Sequence, residues 1–361
     1  MTNPLAALIA AQIRADGPLS LAQYMALALG HPAHGYYMTR DPLGRAGDFT
    51  TAPEISQMFG ELIGLWCVET WAGLGAPGRV VLAELGPGRG TLMADLLRAA
   101  GAVSPAFRAA ADIWMVETSP VLKAVQQKTL GAAARWADHP ARLPPGPVIV
   151  VANEFFDALP VRQFARTEKG WRERMVGLDG ERLVLALAPE GPGAVEARLP
   201  AGAPVGAIAE ICPEGEAVAA LIGDRLATSG GAALIVDYGH GEGGYGDTVQ
   251  AMKAHAYADI LAEPGEADLT AHVDFRQLAA AAKAAGARAW GPVPQGAFLA
   301  ALGIGPRAER LAAKGGETAK AVGAALRRLT HPDEMGTLFK VLALTGPDAA
   351  APPGFPPPAE P

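Results

Sequence analysis

The sequence predicts an α/β fold: a parallel sheet covered on both faces by helices, preceded by a helical cap and interrupted by an antiparallel insertion. Three observations carry this. Apolar strand candidates at 80–85, 113–117, 148–153 and 232–238 alternate with segments of helical spacing, the pattern of buried parallel strands joined by helices. Before residue 79, apolar residues recur at helical spacing around 6–15, 21–29 and 53–73, and Ser20 with Gln23 and Thr51 with Glu54 have the spacing of capping boxes. Between the third and fourth strands, 162–164, 171–178 and 182–188 alternate polar and apolar residues around the turns EKG and DGE, which predicts antiparallel strands. Helices at 217–228 and 275–285 follow, then a closing strand at 337–345 that could pair antiparallel. The expected division is a helical cap and loop over 1–78, a core over 79–345 with its insertion at about 162–230, and a disordered Pro-rich tail over 346–361.

The 361 residues are 50% apolar and 19% charged, which suits a large core and opposes wholesale disorder. The longest apolar runs are far too short to span a bilayer, so no membrane insertion is expected. A formal charge of −7 opposes extended binding to a polyanion, and nucleic acid is not an expected partner. Cys67 and Cys212 are too few for a disulfide framework or a zinc site, and no metal is expected. The first residues, MTNPLAALIAAQIRADG, carry neither a basic segment before an apolar core nor the repeated Arg and Ser of a transit peptide. The expected location is therefore a bacterial cytoplasm.

Chemistry begins where the first strand ends, in ELGPGRGTL. Gly86, Gly88 and Gly90 let the chain turn with positive φ and bring bare backbone against a ligand at the N-terminus of the next helix. Gly90 comes two residues after Gly88, whereas the dinucleotide fingerprint needs its third glycine three residues on, where this chain has Thr91. Glu84 adds a negative charge, which suits an ammonium and a sulfonium better than a pyrophosphate. The arrangement resembles motif I of the S-adenosylmethionine-dependent methyltransferases, whose bland alternative is a tight turn without a ligand. At the end of the second strand Glu117 can accept hydrogen bonds from both ribose hydroxyls; the plain alternative is a solvated acid that caps the helix that follows.

The third strand runs into NEFFDALPVRQF, delivering Asn153, Glu154 and Asp157 to the strand ends with Phe155 and Phe156 as apolar walls. Two carboxylates could hold a guanidinium through paired hydrogen bonds and aim one nitrogen at a sulfonium methyl; the plain alternative is that they cap the next helix. The fourth strand leaves Asp237, Tyr238 and His240 at the same end, with His240 a candidate proton acceptor and Gly239, Gly241, Gly243 and Gly244 suggesting a mobile flap. In the N-terminal loop, Asp48, Phe49, Thr50 and Thr51 are expected to fold over the cofactor, whereas Tyr36 and Tyr37 read as cap packing.

Together the motifs HGYYMTRDPLGRAGDFTTAPEISQMFGELIG, ELGPGRGTL, NEFFDALPVRQF, IVDYGH and TAHVDF resemble the MidA-like methyltransferases over nearly the whole chain. The resemblance implies the seven-stranded, Rossmann-like class I methyltransferase fold and S-adenosyl-L-methionine as donor. It also implies transfer to a protein arginine, symmetric dimethylation in the mitochondrial members, and the large hydrogenase-like subunit of respiratory complex I as target. Glu84, Gly86, Gly88 and Gly90 match the family's donor motif, Glu117 matches its ribose acid by position, and residues 153–157 match its NEFFD segment. The sequence leaves open a methyltransferase for a small amine, an assembly chaperone that binds the donor without turnover, and, least favoured, a nicotinamide oxidoreductase. It also leaves open the oligomeric state, a homodimer included.

Overall fold

The computed structural model describes residues 3–42, 44 and 50–356. Their backbone forms two compact units, one from the described residues within 1–49, 157–216 and 242–272, the other from those within 50–156, 217–241 and 273–361.

The second unit is built on seven strands: β1 (Val80–Leu85), β2 (Ala111–Val116), β3 (Ala134–Ala137), β4 (Val148–Asn153), β5 (Gly231–His240), β6 (Arg288–Pro294) and β7 (Phe339–Thr345). Their order across the sheet is β3-β2-β1-β4-β5-β7-β6. The first five are mutually parallel, and β7 enters antiparallel between β5 and β6. This is the α/β, Rossmann-like class I architecture expected from the sequence. Every residue of β1 and β4 is buried, as strands covered on both faces must be. An eighth short strand, Val273–Asp274, pairs with the end of β5.

Three details of this unit differ from the sequence expectations. The anticipated helix at 53–73 is two, Ala52–Ile55 and Gln57–Gly73, because Ser56 takes extended backbone and its hydroxyl accepts from the Met58 N–H. The supposed flap starts inside the sheet: Gly239 pairs with Val273, so closely that a Cβ there would lie 2.1 Å from the Val273 carbonyl oxygen. The tail over 346–356 is packed, not disordered. Phe355 is buried against Phe298, with ring centroids 5.5 Å apart, and the Pro353 carbonyl accepts from the Trp66 indole at 3.2 Å.

In the first unit the helices Pro4–Asp16 and Leu21–Gly30 share an apolar core with Val161, Val176, Leu183 and Leu269. Leu19–Ser20 pairs antiparallel with Gly170–Asp179, which pairs in turn with Arg162–Thr167 and Arg182–Leu187. The antiparallel insertion is thus present. The grouping nevertheless departs from the sequence-based division: the first helices belong with the inserted strands, and the residues from 50 onward belong with the sheet. Among the described residues no helix is long and apolar enough to cross a membrane.

Candidate active site

The glycine turn follows β1, with Gly86, Gly88 and Gly90 at φ of 59°, 51° and 78°. All lie in the left-handed region that only glycine visits cheaply. Gly90 is the N-cap of helix Thr91–Val103 and makes no side-chain cap bond, so the helix opens on backbone N–H groups, a setting that favours negative charge or dipoles. A Cβ on Gly86 would come within 2.9 Å of the Phe155 ring. Glu84, buried in β1, accepts from the Met93 N–H, while its Oε2 has no partner among the described residues. Burial pushes its carboxyl well above the usual carboxylate range.

Glu117 follows β2 and is also buried. Its Oε1 accepts from the Ser119 N–H at 2.8 Å and its Oε2 from Gln126 Nε2 at 3.0 Å. Burial raises this carboxyl too, and those hydrogen bonds pull against it. The helix Pro120–Leu130 is capped by Ser119, not by Glu117.

At the end of β4, Asn153 Nδ2 donates to Glu154 Oε1 at 3.0 Å, and its own Oδ1 is buried without a partner among the described residues. Glu154 sits at φ 51°, a left-handed conformation that costs a non-glycine residue about 1–2 kcal/mol. Strain of this kind clusters at functional sites. Its Oε1 also accepts from the Ala52 N–H at 3.0 Å, at the N-terminus of helix Ala52–Ile55. Phe155 and Phe156 meet edge to face, ring centroids 5.2 Å apart.

Buried Asp237 fixes this segment, accepting from the Phe156 N–H and the Tyr238 N–H, each at 3.0 Å. His240 ends β5 with its Nδ1 4.0 Å from Asp274 Oδ1, and Asp274 caps helix Phe275–Ala284.

Glu84, Glu117, Asn153, Glu154 and His240 thus stand at the carboxyl ends of β1, β2, β4 and β5, where open parallel sheets bind ligands. Asp157 falls in the first unit. There it is buried, its carbonyl accepts from the Ala271 N–H at 2.9 Å, and its charge acts on Tyr37. The Tyr37 hydroxyl donates to Asp268 at 2.7 Å; burial first, then Asp268 and Asp157, raise its pKa.

Thr50 and Thr51 lie in the second unit, and Asp48 and Phe49 lie outside the described residues. Thr51 caps helix Ala52–Ile55 without a side-chain bond, so the expected capping box does not form. Glu54 instead accepts from the Thr91 hydroxyl at 2.5 Å, beside the glycine turn. Sequence reasoning missed that role for Glu54, and it missed Gln126 altogether. Spacing ties Glu54 to its own helix, and Gln126 carries no motif.

A family model described as "Putative S-adenosyl-L-methionine-dependent methyltransferase" matches residues 62–293. The chain belongs to this methyltransferase family. Protein arginine methyltransferase NDUFAF7, mitochondrial, of Danio rerio is 38% identical over 93% of this chain and 85% of its own length. The protein of that name from Homo sapiens is 36% identical over 92% and 81%. The crystal structure of a "likely methyl transferase" from Burkholderia thailandensis bound to S-adenosyl-homocysteine superposes with a TM-score of 0.86 at 30% identity, covering 97% of this chain and 94% of that one. The expectation of a bacterial cytoplasmic location does not stand, because the relatives from Danio rerio and Homo sapiens are mitochondrial by name.

S-adenosyl-L-methionine is the cofactor of this methyltransferase family, and the residues of the site fit it. A turn of three left-handed glycines offers bare backbone. The buried Glu84 Oε2, an acceptor without a donor among the described residues, suits an ammonium.

Proposed function

We propose that this methyltransferase acts on an arginine side-chain nitrogen of a protein substrate. The observation that carries the acceptor assignment is the Asn153–Glu154 pair at the end of β4: a strained, oriented carboxylate beside a buried amide oxygen that lacks a donor among the described residues. A guanidinium offers five N–H donors in a plane and no acceptor, so it complements a carboxylate and an amide oxygen side by side. The names of the relatives support the same acceptor.

On this reading Glu84, the glycine turn and Glu117 hold the donor, and Thr50 and Thr51 belong to a segment that covers it. S-adenosyl-L-methionine supplies a methyl group already attached to a sulfonium leaving group. The chain's own task is then alignment and exclusion of water. Glu154 and Asn153 Oδ1 fix the guanidinium plane, and Phe155 and Phe156 keep water out. A guanidinium with a pKa above about 12 gives up its proton only as its nitrogen acquires the methyl group. His240, with an Nδ1 that lacks a hydrogen-bond partner among the described residues, is assigned to receive that proton. The family resemblance extends the proposal to a target, the large hydrogenase-like subunit of respiratory complex I.

The test is transfer of labelled methyl from S-adenosyl-L-methionine by the purified chain into an extract of its own organism lacking the gene, resolved by size. Label should enter one large polypeptide, and Glu154→Gln should lower its rate of entry by about a hundredfold or more, the usual loss when a positioned group at the reacting centre is removed. Label confined to small molecules would establish a metabolite as acceptor. No label despite measured donor binding would leave the chaperone reading.

A further inference from the structure

We infer that Gln126 is a positioning residue for the donor: a buried amide that ties the glycine turn to the ribose acid and orients both. The inference rests on the reading of Glu117 as that acid. Gln126 is fully buried on helix Pro120–Leu130. Its Nε2 donates to the Gly88 carbonyl at 2.8 Å and to Glu117 Oε2 at 3.0 Å. Its Oε1 accepts from the Trp136 indole N–H at 2.8 Å. The indole can only donate, and the carbonyl and carboxylate can only accept. Trp136 therefore obliges the amide oxygen to face it, which turns the NH2 group toward the turn and the acid. Glutamine meets one donor and two acceptors with neither end of its amide idle. An amide buried without such partners would be strongly disfavoured, so packing alone does not account for the residue.

The consequence concerns how the ribose is gripped. With Oε1 held by Ser119 and Oε2 by Gln126, the Glu117 carboxylate has one orientation, and its remaining lone pairs point in fixed directions. Two vicinal hydroxyls can then be met without ordering the side chain at the moment of binding. The same NH2 group fixes the carbonyl of Gly88, whose φ of 51° already commits the turn. Helix Pro120–Leu130 thus sets the spacing between the two parts of the donor site.

The experiment is calorimetric titration of the full chain with S-adenosylhomocysteine and with its 2′,3′-dideoxy analogue. Gln126→Met keeps side-chain length but removes both donors. It should weaken S-adenosylhomocysteine about tenfold to a hundredfold, the scale of a hydrogen bond to a charged group, and should weaken the dideoxy analogue about tenfold less than that. Glu117→Gln should show the same dependence on the ribose hydroxyls. The double variant should bind within about twofold of the weaker single one, since both changes remove one grip. Trp136→Phe leaves Gln126 in place, frees its amide to turn and should give a smaller loss with the same ribose dependence, which keeps the test alive if Gln126→Met does not fold. Equal losses for both ligands, or additive losses in the double variant, would overturn the inference. If Glu117→Gln binds both ligands as the parent does, the ribose reading falls and takes the inference with it. If Glu117→Gln discriminates while Gln126→Met and Trp136→Phe do not, the inference alone falls.

Discussion

Glu84 is a buried carboxyl with one oxygen lacking a donor among the described residues, and its cost to the free chain rises with pH. Burial raises its folded pKa well above the ordinary value. Between the unfolded value, near about 4.3, and that raised value, the folded chain keeps a proton that the unfolded chain has released. Stability therefore falls as pH rises through the window. Glu117 and Glu210 are raised by burial in the same direction, so only the difference from a variant isolates Glu84. Thermal unfolding without donor should show Glu84→Gln losing less stability than the parent as pH rises from about 4.5 to 8, the two curves converging below about pH 4. Curves that stay parallel would mean that Glu84 titrates as an exposed acid, and would remove the basis for its pairing with an ammonium. Glu154 makes the same point in backbone terms, since its left-handed φ was invisible to a motif that gave only its chemistry.

At the scale of elements, two capping boxes had equal standing in the sequence and only one forms. Ser20 and Gln23 bond reciprocally: the Gln23 N–H donates to Ser20 Oγ at 3.2 Å and the Ser20 N–H to Gln23 Oε1 at 2.8 Å. Thr51 makes no side-chain cap bond, and the Glu54 carboxylate that would complete the box accepts from Thr91 instead. Ser20→Ala should accordingly cost about 1 kcal/mol and Thr51→Ala less than half of that, as read from urea unfolding; equal losses would contradict the difference in capping. β1, β2, β4 and β5 were legible because each is a nearly continuous apolar run. β3 has four residues, of which Arg135 is exposed, and offers no run at all. β6 carries Gly291 and Pro292 where its register shifts between Trp290 and Val293, so it reads as a turn. In the site, the glycines and acids were legible because strand ends expose them to chemistry, whereas Gln126 acts through partners distant in sequence. Spacing cannot reveal such a contact.

At the scale of the whole molecule, what a Pro-rich terminus does depends on what it meets. Composition argued for disorder over 346–361, since prolines complete neither helix nor sheet. A segment without regular structure can still be anchored by one large apolar side chain and one backbone acceptor, and 346–356 has both. Phe355 is 7% exposed and joins the apolar core of the second unit beside Phe298, and Pro353 accepts from Trp66, an indole that would otherwise be buried without a partner. Phe355→Ala removes ring contacts from a packed core and should cost about 3–5 kcal/mol. Deleting the chain from Asp348 onward also removes the Trp66 acceptor and should cost more. Chemical denaturation followed by tryptophan fluorescence measures both. A disordered tail would leave the midpoint unchanged in either variant, and that result would return 346–356 to the role its composition suggests. A loss in both, larger for the deletion, would make these residues the last element of the fold.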